Sequence, residues 1–196
     1  MSERTAIIVL AAGTASRMGQ PKQLLPWRDT TLLRHAVTQA IRFPQTDVYV
    51  VAGAYFESVE REVNDLGIKL VHNMNYREGL GTSIAAGVRA ALREDLPYGY
   101  IAVTLADQPA VNTEYLTNLI DLASKSESIV ATGYGERAGV PAVFPSRFFG
   151  RLAQLHGDKG ASQLLNAQDA PVRRIDPTFD VYDIDTPEDY QRYAGN

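Results

Sequence analysis

The 196-residue chain contains no cysteine. Disulfides, zinc knuckles and iron–sulfur ligation by thiolates are thereby excluded, and a reducing compartment is permitted. No stretch approaches the ~18 consecutive apolar residues of a membrane span. A basic excess is missing too: 19 Lys and Arg stand against 23 Asp and Glu, a net charge of −4. Nucleic-acid recognition needs a basic stripe, yet apart from Arg173 and Arg174 the basic residues are scattered. Neither nucleic acid nor membrane is therefore an expected partner. The run Ala6–Ala12 is short for a secretion signal, and Glu3 sits where such a signal is basic. The expected location is cytoplasmic. No internal repeat, low-complexity tract or linker interrupts the chain.

With 45% hydrophobic residues, the chain can bury a sizeable core as one compact domain spanning 1–196. Short β-branched runs occur at 6–10, 47–51, 68–72, 100–105, 128–133, 141–144 and 172–175. Between them, helical spacing marks 31–43, 55–67, 81–95 and 113–124. Thr30 or Thr31 is the expected cap of the first helix, and Gly67 the stop of the second. Strands alternating with helices predict right-handed βαβ units, hence an α/β fold with helices on both faces of a mostly parallel, Rossmann-like sheet. The unbroken apolar runs 6–10 and 101–105 suit central strands. Ligands of such sheets bind beyond the carboxyl ends of the strands. Gly13–Lys22 and Asp107 are thereby placed on one rim.

The loop after the first strand reads "IIVLAAGTASRMGQPKQLL" (7–25). Gly13 has no Cβ, Ala12, Ala15 and Ser16 are small, and Arg17 and Lys22 are cationic. Backbone N–H groups in such a loop can approach a polyphosphate closely. An ordinary strand-to-helix turn with solvated basic residues satisfies the same spacing. Ala15 replaces the second glycine of G-x-G-x-x-G, and no Gly-Lys-Ser/Thr follows. A dinucleotide oxidoreductase and a P-loop kinase are both disfavoured.

Other residues have two readings each. Asp107 follows a buried run and precedes Gln108–Pro109, as a ligand of a hard cation does, but also as a helix cap does. Asp185 in "DIDTPEDY" is a second candidate metal carboxylate, with Asp183 a lesser one. Asp185 or Thr186 can equally cap a helix with Pro187 in its first turn. Ser83 can donate to a base or ribose, or act as an N-cap, with Gly79 and Gly81 allowing close approach. "HGDKGA" carries His156, Asp158 and Lys159 and suits either a ligand loop or a polar surface turn. His35, between apolar neighbours, reads as structural, and Trp27 as packing under the loop. His72 ends a strand without an assigned task.

"LAAGTASRMGQPKQLLPW" (10–27) resembles the signature loop of nucleotidyltransferases, L-A-A-G-x-x-x-R-M-G-x-x-K. "REGLGTSIAAGV" (77–88), "LADQPAV" (105–111), "GVPAVFP" (139–145), "LHGDKGASQLL" (155–165) and "VYDIDTPEDY" (181–190) match, in order, the later blocks of the molybdenum cofactor cytidylyltransferase branch of the MobA-like superfamily. Leu80 stands where that branch usually has methionine. The resemblance implies a single-domain three-layer α/β/α sandwich of the nucleotide-diphospho-sugar transferase type. A nucleotide-binding half (about 1–111) precedes an acceptor-binding half (about 112–196). It further implies Mg²⁺-dependent transfer of CMP from CTP to the phosphate of a molybdenum-bearing pterin, releasing pyrophosphate, and transient contact with an apo-molybdoenzyme or its chaperone. Lys22, Arg17 and Asp107 are the implied catalytic residues, and Asp107 and Asp185 the implied metal ligands. Leu10, Ala11, Ala12, Gly13, Gly79, Gly81 and Ser83 are implied to contact the nucleotide, and His156, Asp158 and Lys159 the acceptor. Relatives with the same blocks serve other acceptors or use GTP. From another class, a non-catalytic carrier of nucleotide or cofactor fits less well, because Lys22 and Asp107 are intact.

Overall fold

All seven apolar runs join one seven-stranded sheet in the order β5-β4-β1-β6-β8-β7-β9. Its strands are β1 (Arg4–Ala11), β4 (Thr46–Ala52), β5 (Lys69–His72), β6 (Tyr98–Leu105), β7 (Ile129–Tyr134), β8 (Arg137–Pro145) and β9 (Val172–Ile175). A two-stranded ribbon, β2 (Pro26–Trp27) with β3 (Thr30–Thr31), lies apart and was not legible from hydrophobic patterning. The computed structural model describes residues 4–14, 18–167 and 170–194. Arg17 lies outside them.

β1 is buried along its length after Arg4, because parallel strands β4 and β6 flank it and helices cover both faces. Ile7, Val9 and Ala11 pack with α1 (Leu32–Ile41), α2 (Phe56–Val63) and α4 (Thr113–Ser126). The alternate residues Ala6, Ile8 and Leu10 pack with α3 (Leu80–Arg93), α5 (Phe149–Leu152) and α6 (Ser162–Leu165). The period-2 alternation of a strand thus produces two cores on opposite faces, the three-layer sandwich. Thr31 caps α1, its side chain accepting from Arg34 N at 3.1 Å. α2 stops at Val63, short of Gly67, and turns fill the interval.

β8 breaks the parallel pattern. It pairs antiparallel with both β6 and β7. The two-residue connection Gly135–Glu136, with Gly135 at φ +64°, folds β7 and β8 into a hairpin, and β8 enters the sheet between β6 and β7.

A third apolar cluster joins the two chain ends. Leu25, Trp27, Leu32 and fully buried Ile184 pack with Tyr190 and Tyr193 of α7 (Pro187–Ala194). The Tyr190 hydroxyl donates to the Pro26 carbonyl at 2.6 Å. Trp27 does pack beneath the loop, and its docking carries the C-terminal "DIDTP" segment over the end of β1.

Candidate active site

The carboxyl ends of β1 and β6 open into a cavity of about 660 Å³. Leu10, Ala11, Ala12 and Gly13 form its floor where β1 ends, and Lys22 and Gln23 enter from the short helical turn Lys22–Leu24. Asp107 follows β6, and Asp183 and Asp185 reach in from the C-terminal segment. The "DID" triplet explains that last pair. Ile184 is fully buried in the third cluster, so its neighbours on either side face the other way. The backbone N–H of Ile184 donates to the Asp107 carbonyl at 2.9 Å, which fastens the two acidic segments together.

Lys22 Nζ stands between them. It pairs with the Asp107 carboxylate and lies 2.6 Å from Asp185 Oδ1. Burial works to lower the Lys22 pKa, but the two carboxylates outweigh it and hold the ammonium above the ordinary lysine range. Burial, then the charge of Asp107, raises the pKa of Asp183 against the Gln108 Nε2 hydrogen bond of 2.8 Å. Gln108 Nε2 also donates to the Tyr134 hydroxyl at 3.1 Å. His35 is structural: its Nε2 sits 3.1 Å from the Pro109 carbonyl and steadies the turn after Asp107, and burial lowers its pKa.

The alternative roles as helix caps fall away. Asn112 caps α4, accepting from Tyr115 N, so Asp107 does not. Thr186 and Asp189 cap α7 reciprocally: Asp189 N donates to Thr186 Oγ1, and Thr186 N to Asp189 Oδ2. Asp185 is left facing Lys22. Ser83 lies inside α3, whose N-cap is Gly79, and its Oγ accepts from Asn73 Nδ2 at 2.9 Å while lining the cavity.

Gly79 lines the cavity, but Gly81 does not. Gly81 N donates to the Gly157 carbonyl at 2.9 Å, and a Cβ there would lie 2.6 Å from the His156 carbonyl oxygen. The close approach is therefore to the 156–158 loop and not to a ligand. Gly81→Ala is expected to cost about 1–3 kcal/mol of stability, because backbone must move to admit the methyl. Chemical denaturation measures it, and an unchanged midpoint would contradict the packing argument. Of the acceptor-loop residues, Asp158 lines the cavity. His156 and Lys159 do not, although all three are exposed. Patterning missed Thr14, Gln23, Tyr76, Arg77, Leu80, Leu105 and Ala106 on the cavity wall. For Leu105 and Ala106 the end of a buried run was the available signal; Tyr76 and Arg77 sit on an irregular turn that offered none. His72 stacks on Phe56 at 4.2 Å, away from the cavity wall.

The donor set suits a divalent cation. Asp107 Oδ1 is buried and lacks a hydrogen-bond partner, and Asp107 and Asp185 converge on a single point, now the Lys22 ammonium. Among the described residues no three carboxylate or imidazole groups converge to hold an ion alone. A hard cation here would complete its shell with water and phosphate oxygens, as Mg²⁺ commonly does.

Residues 7–172 match the model of the MobA-like NTP transferase domain. The chain belongs to that family. It is a nucleotidyltransferase of MobA-like type, and its relatives by sequence span most of it. The molybdenum cofactor cytidylyltransferase of Escherichia coli (strain K12) is 28% identical over 183 residues, covering 93% of this chain and 92% of that protein. The purine catabolism protein PucB of Bacillus subtilis (strain 168) is 30% identical over 193 residues, covering 93% and 92%. Rv0371c from Mycobacterium tuberculosis H37Rv, solved in complex with manganese, superposes with a TM-score of 0.80 at 32% identity, covering 98% of this chain and 99% of that one. No helix among the described residues is long and apolar enough to cross a membrane.

Proposed function

We propose that this MobA-like transferase moves CMP from CTP to the phosphate of molybdenum-bearing molybdopterin and releases pyrophosphate. The observation that carries the reading is the convergence of the β1 floor, Lys22, Asp107 and Asp185 on one cavity. That site lies in a chain similar over nearly its whole length to a molybdenum cofactor cytidylyltransferase.

An oxygen of the acceptor phosphate bonds to the α-phosphorus as the bond to the β-phosphate bridging oxygen breaks. A phosphoanhydride forms and pyrophosphate leaves with the electron pair. The attacking oxygen is already anionic, so no side chain has to remove a proton. The protein's contribution is positioning and charge neutralisation. Lys22, with Arg17 from outside the described residues, holds the triphosphate and stabilises the charge that builds as the bond breaks. The small residues Ala12 and Gly13 let the backbone meet the nucleotide. Ser83, its Oγ already accepting from Asn73, turns its hydroxyl hydrogen to the base or ribose. Asp107 and Asp185 would hold Mg²⁺, which when bound supplies positive charge at the phosphates. Asp158, with His156 and Lys159 behind it, marks the acceptor side. The nucleotide half (about 1–111) contributes the contiguous strands β5, β4, β1 and β6, and the acceptor half (about 112–196) contributes β8, β7 and β9. The setting that fits is cytoplasmic, with transient contact to an apo-molybdoenzyme or its chaperone.

CTP is expected to exceed GTP by at least about tenfold in kcat/KM for pyrophosphate release, since one methyl in a pocket discriminates by roughly 1–3 kcal/mol. Ala12 supplies that methyl on the cavity floor, with only 7% of its surface exposed. Ala12→Gly should narrow the gap. Equal or better use of GTP by the unaltered protein would reject cytidylyl transfer while sparing the broader transferase reading. The similarity to a purine catabolism protein favours one second reading, the same transfer to another phosphate acceptor. The product mass from CTP and metal-bearing pterin separates the two.

A further inference from the structure

We infer that Lys22 is a placeholder for the metal: its ammonium stands where the divalent cation belongs, between Asp107 and Asp185, and leaves those carboxylates before it meets a phosphate. The inference rests on the reading that these two carboxylates take a divalent cation.

Three features of the site carry it. Lys22 Nζ is in ion-pair contact with both carboxylates at once, and its side chain is only 18% exposed. Lys22 holds Asp107 Oδ2 and Asp185 Oδ1, so a cation taken up through the free Asp107 Oδ1 would still lie within a few ångströms of the ammonium, where like charges repel. Each therefore weakens the other's hold on the two carboxylates. Second, the described lining residues include four carboxylates, Asp107, Asp158, Asp183 and Asp185, against two bases, Lys22 and Arg77. With Lys22 tied to two of those carboxylates, little free positive charge among the described lining residues faces a bare triphosphate, and a divalent cation would offset the acidic wall. Third, the lysine stem is unbranched, with four rotatable bonds. Lys22 begins a three-residue helical turn at the cavity edge, so its head can swing from the carboxylates toward the cavity without moving β1 or β6.

The consequence is an ordered exchange. A cation that engages Asp107 and Asp185 releases Lys22, and the released ammonium is available to the phosphates entering beside it. Nucleotide without metal finds the lysine already neutralised. Metal without nucleotide has to evict it and binds weakly. Each ligand thus favours the other through one side chain, which is a coupling free energy between two sites.

The test uses the full chain and Mn²⁺ alone. Under limiting acetic anhydride, modification of Lys22 followed by peptide mass spectrometry is expected to be slow without metal, relative to the exposed Lys125 and Lys159. Saturating Mn²⁺, judged by electron paramagnetic resonance, should raise the Lys22 rate several-fold and leave Lys125 unchanged. A non-hydrolysable CTP analogue added with Mn²⁺ should lower it again. A Lys22 rate that does not respond to saturating Mn²⁺ overturns the inference. Lys22→Met should bind Mn²⁺ at least about tenfold more tightly than the unaltered chain, because a like charge has been removed; equal or weaker binding also overturns it. If Lys22→Met does not fold, the labelling experiment on the unaltered chain decides alone. Asp107→Asn separates the two ideas. Loss of Mn²⁺ binding in that variant, together with a Lys22 rate in the unaltered chain that does not respond to Mn²⁺, leaves the metal assignment standing and removes the placeholder. Mn²⁺ binding unaffected by Asp107→Asn removes both.

Discussion

Lys22→Ala is expected to lower the rate of pyrophosphate release by about 10²–10³-fold, the scale of losing one preorganised donor to developing charge. The expectation follows from where the side chain lies. Asp107 and Asp185 keep its ammonium charged at any physiological pH, so once released from them it meets an incoming phosphate in its charged form. Methylene and charge face the cavity and take no part in the three apolar clusters. The fold should therefore survive. The pairing with Asp185 does help fasten the C-terminal segment, and its loss should loosen that segment without unfolding β1 or β6. Steady-state pyrophosphate release, with far-UV circular dichroism as the folding control, makes the measurement. A folded Lys22→Ala protein with full activity would remove Lys22 from the chemistry.

Asp107→Asn is expected to reduce the rate at fixed Mg²⁺ by about 10²-fold, comparable to losing an electrostatic contact in a water-poor site. It should also raise the Mg²⁺ concentration needed for half-maximal rate. The substitution preserves shape and leaves the Ile184 N–H bond to the residue's backbone carbonyl in place. It deletes the charge that a hard cation requires of its ligand. Asp107 Oδ1, buried and without a partner, is the atom that loses most. Nucleotide binding measured without metal should change far less than the Mg²⁺ titration of rate. An unshifted Mg²⁺ curve would return Asp107 to a role in supporting Lys22 alone.

Much of this site was legible one residue at a time. Lys22 and Asp107 each follow an apolar run, and the direction of a strand says at which end of it the next residue emerges. Asp185 was ambiguous because "DTPED" encodes a helix start whatever Asp185 does. The reciprocal bonds of Thr186 and Asp189 removed its capping role, and only their geometry could. Asp183 carried a readable signal in the alternation of "DID" about an apolar centre, but a three-residue alternation is too short to stand apart from chance. The turn with Tyr76 and Arg77 has no periodicity, so nothing in its composition marked it as cavity wall.

The chain by itself determined the seven strands, the alternation with helices and the two-faced burial of β1. Those features follow from periods of 2 and 3.6 residues, which neighbours along the chain settle among themselves. Tertiary structure alone decided three others. β8 enters antiparallel between β6 and β7, a choice made by the hairpin at Gly135 and by the room left beside β6. Gly81 faces the 156–158 loop and not the cavity, because that loop docks on the start of α3. Lys22 meets Asp185 across 163 residues of sequence, since Trp27 and Ile184 bury each other's neighbourhoods and draw the two chain ends together. Pairings at that separation depend on which apolar surfaces find each other in three dimensions, and no local pattern carries that information.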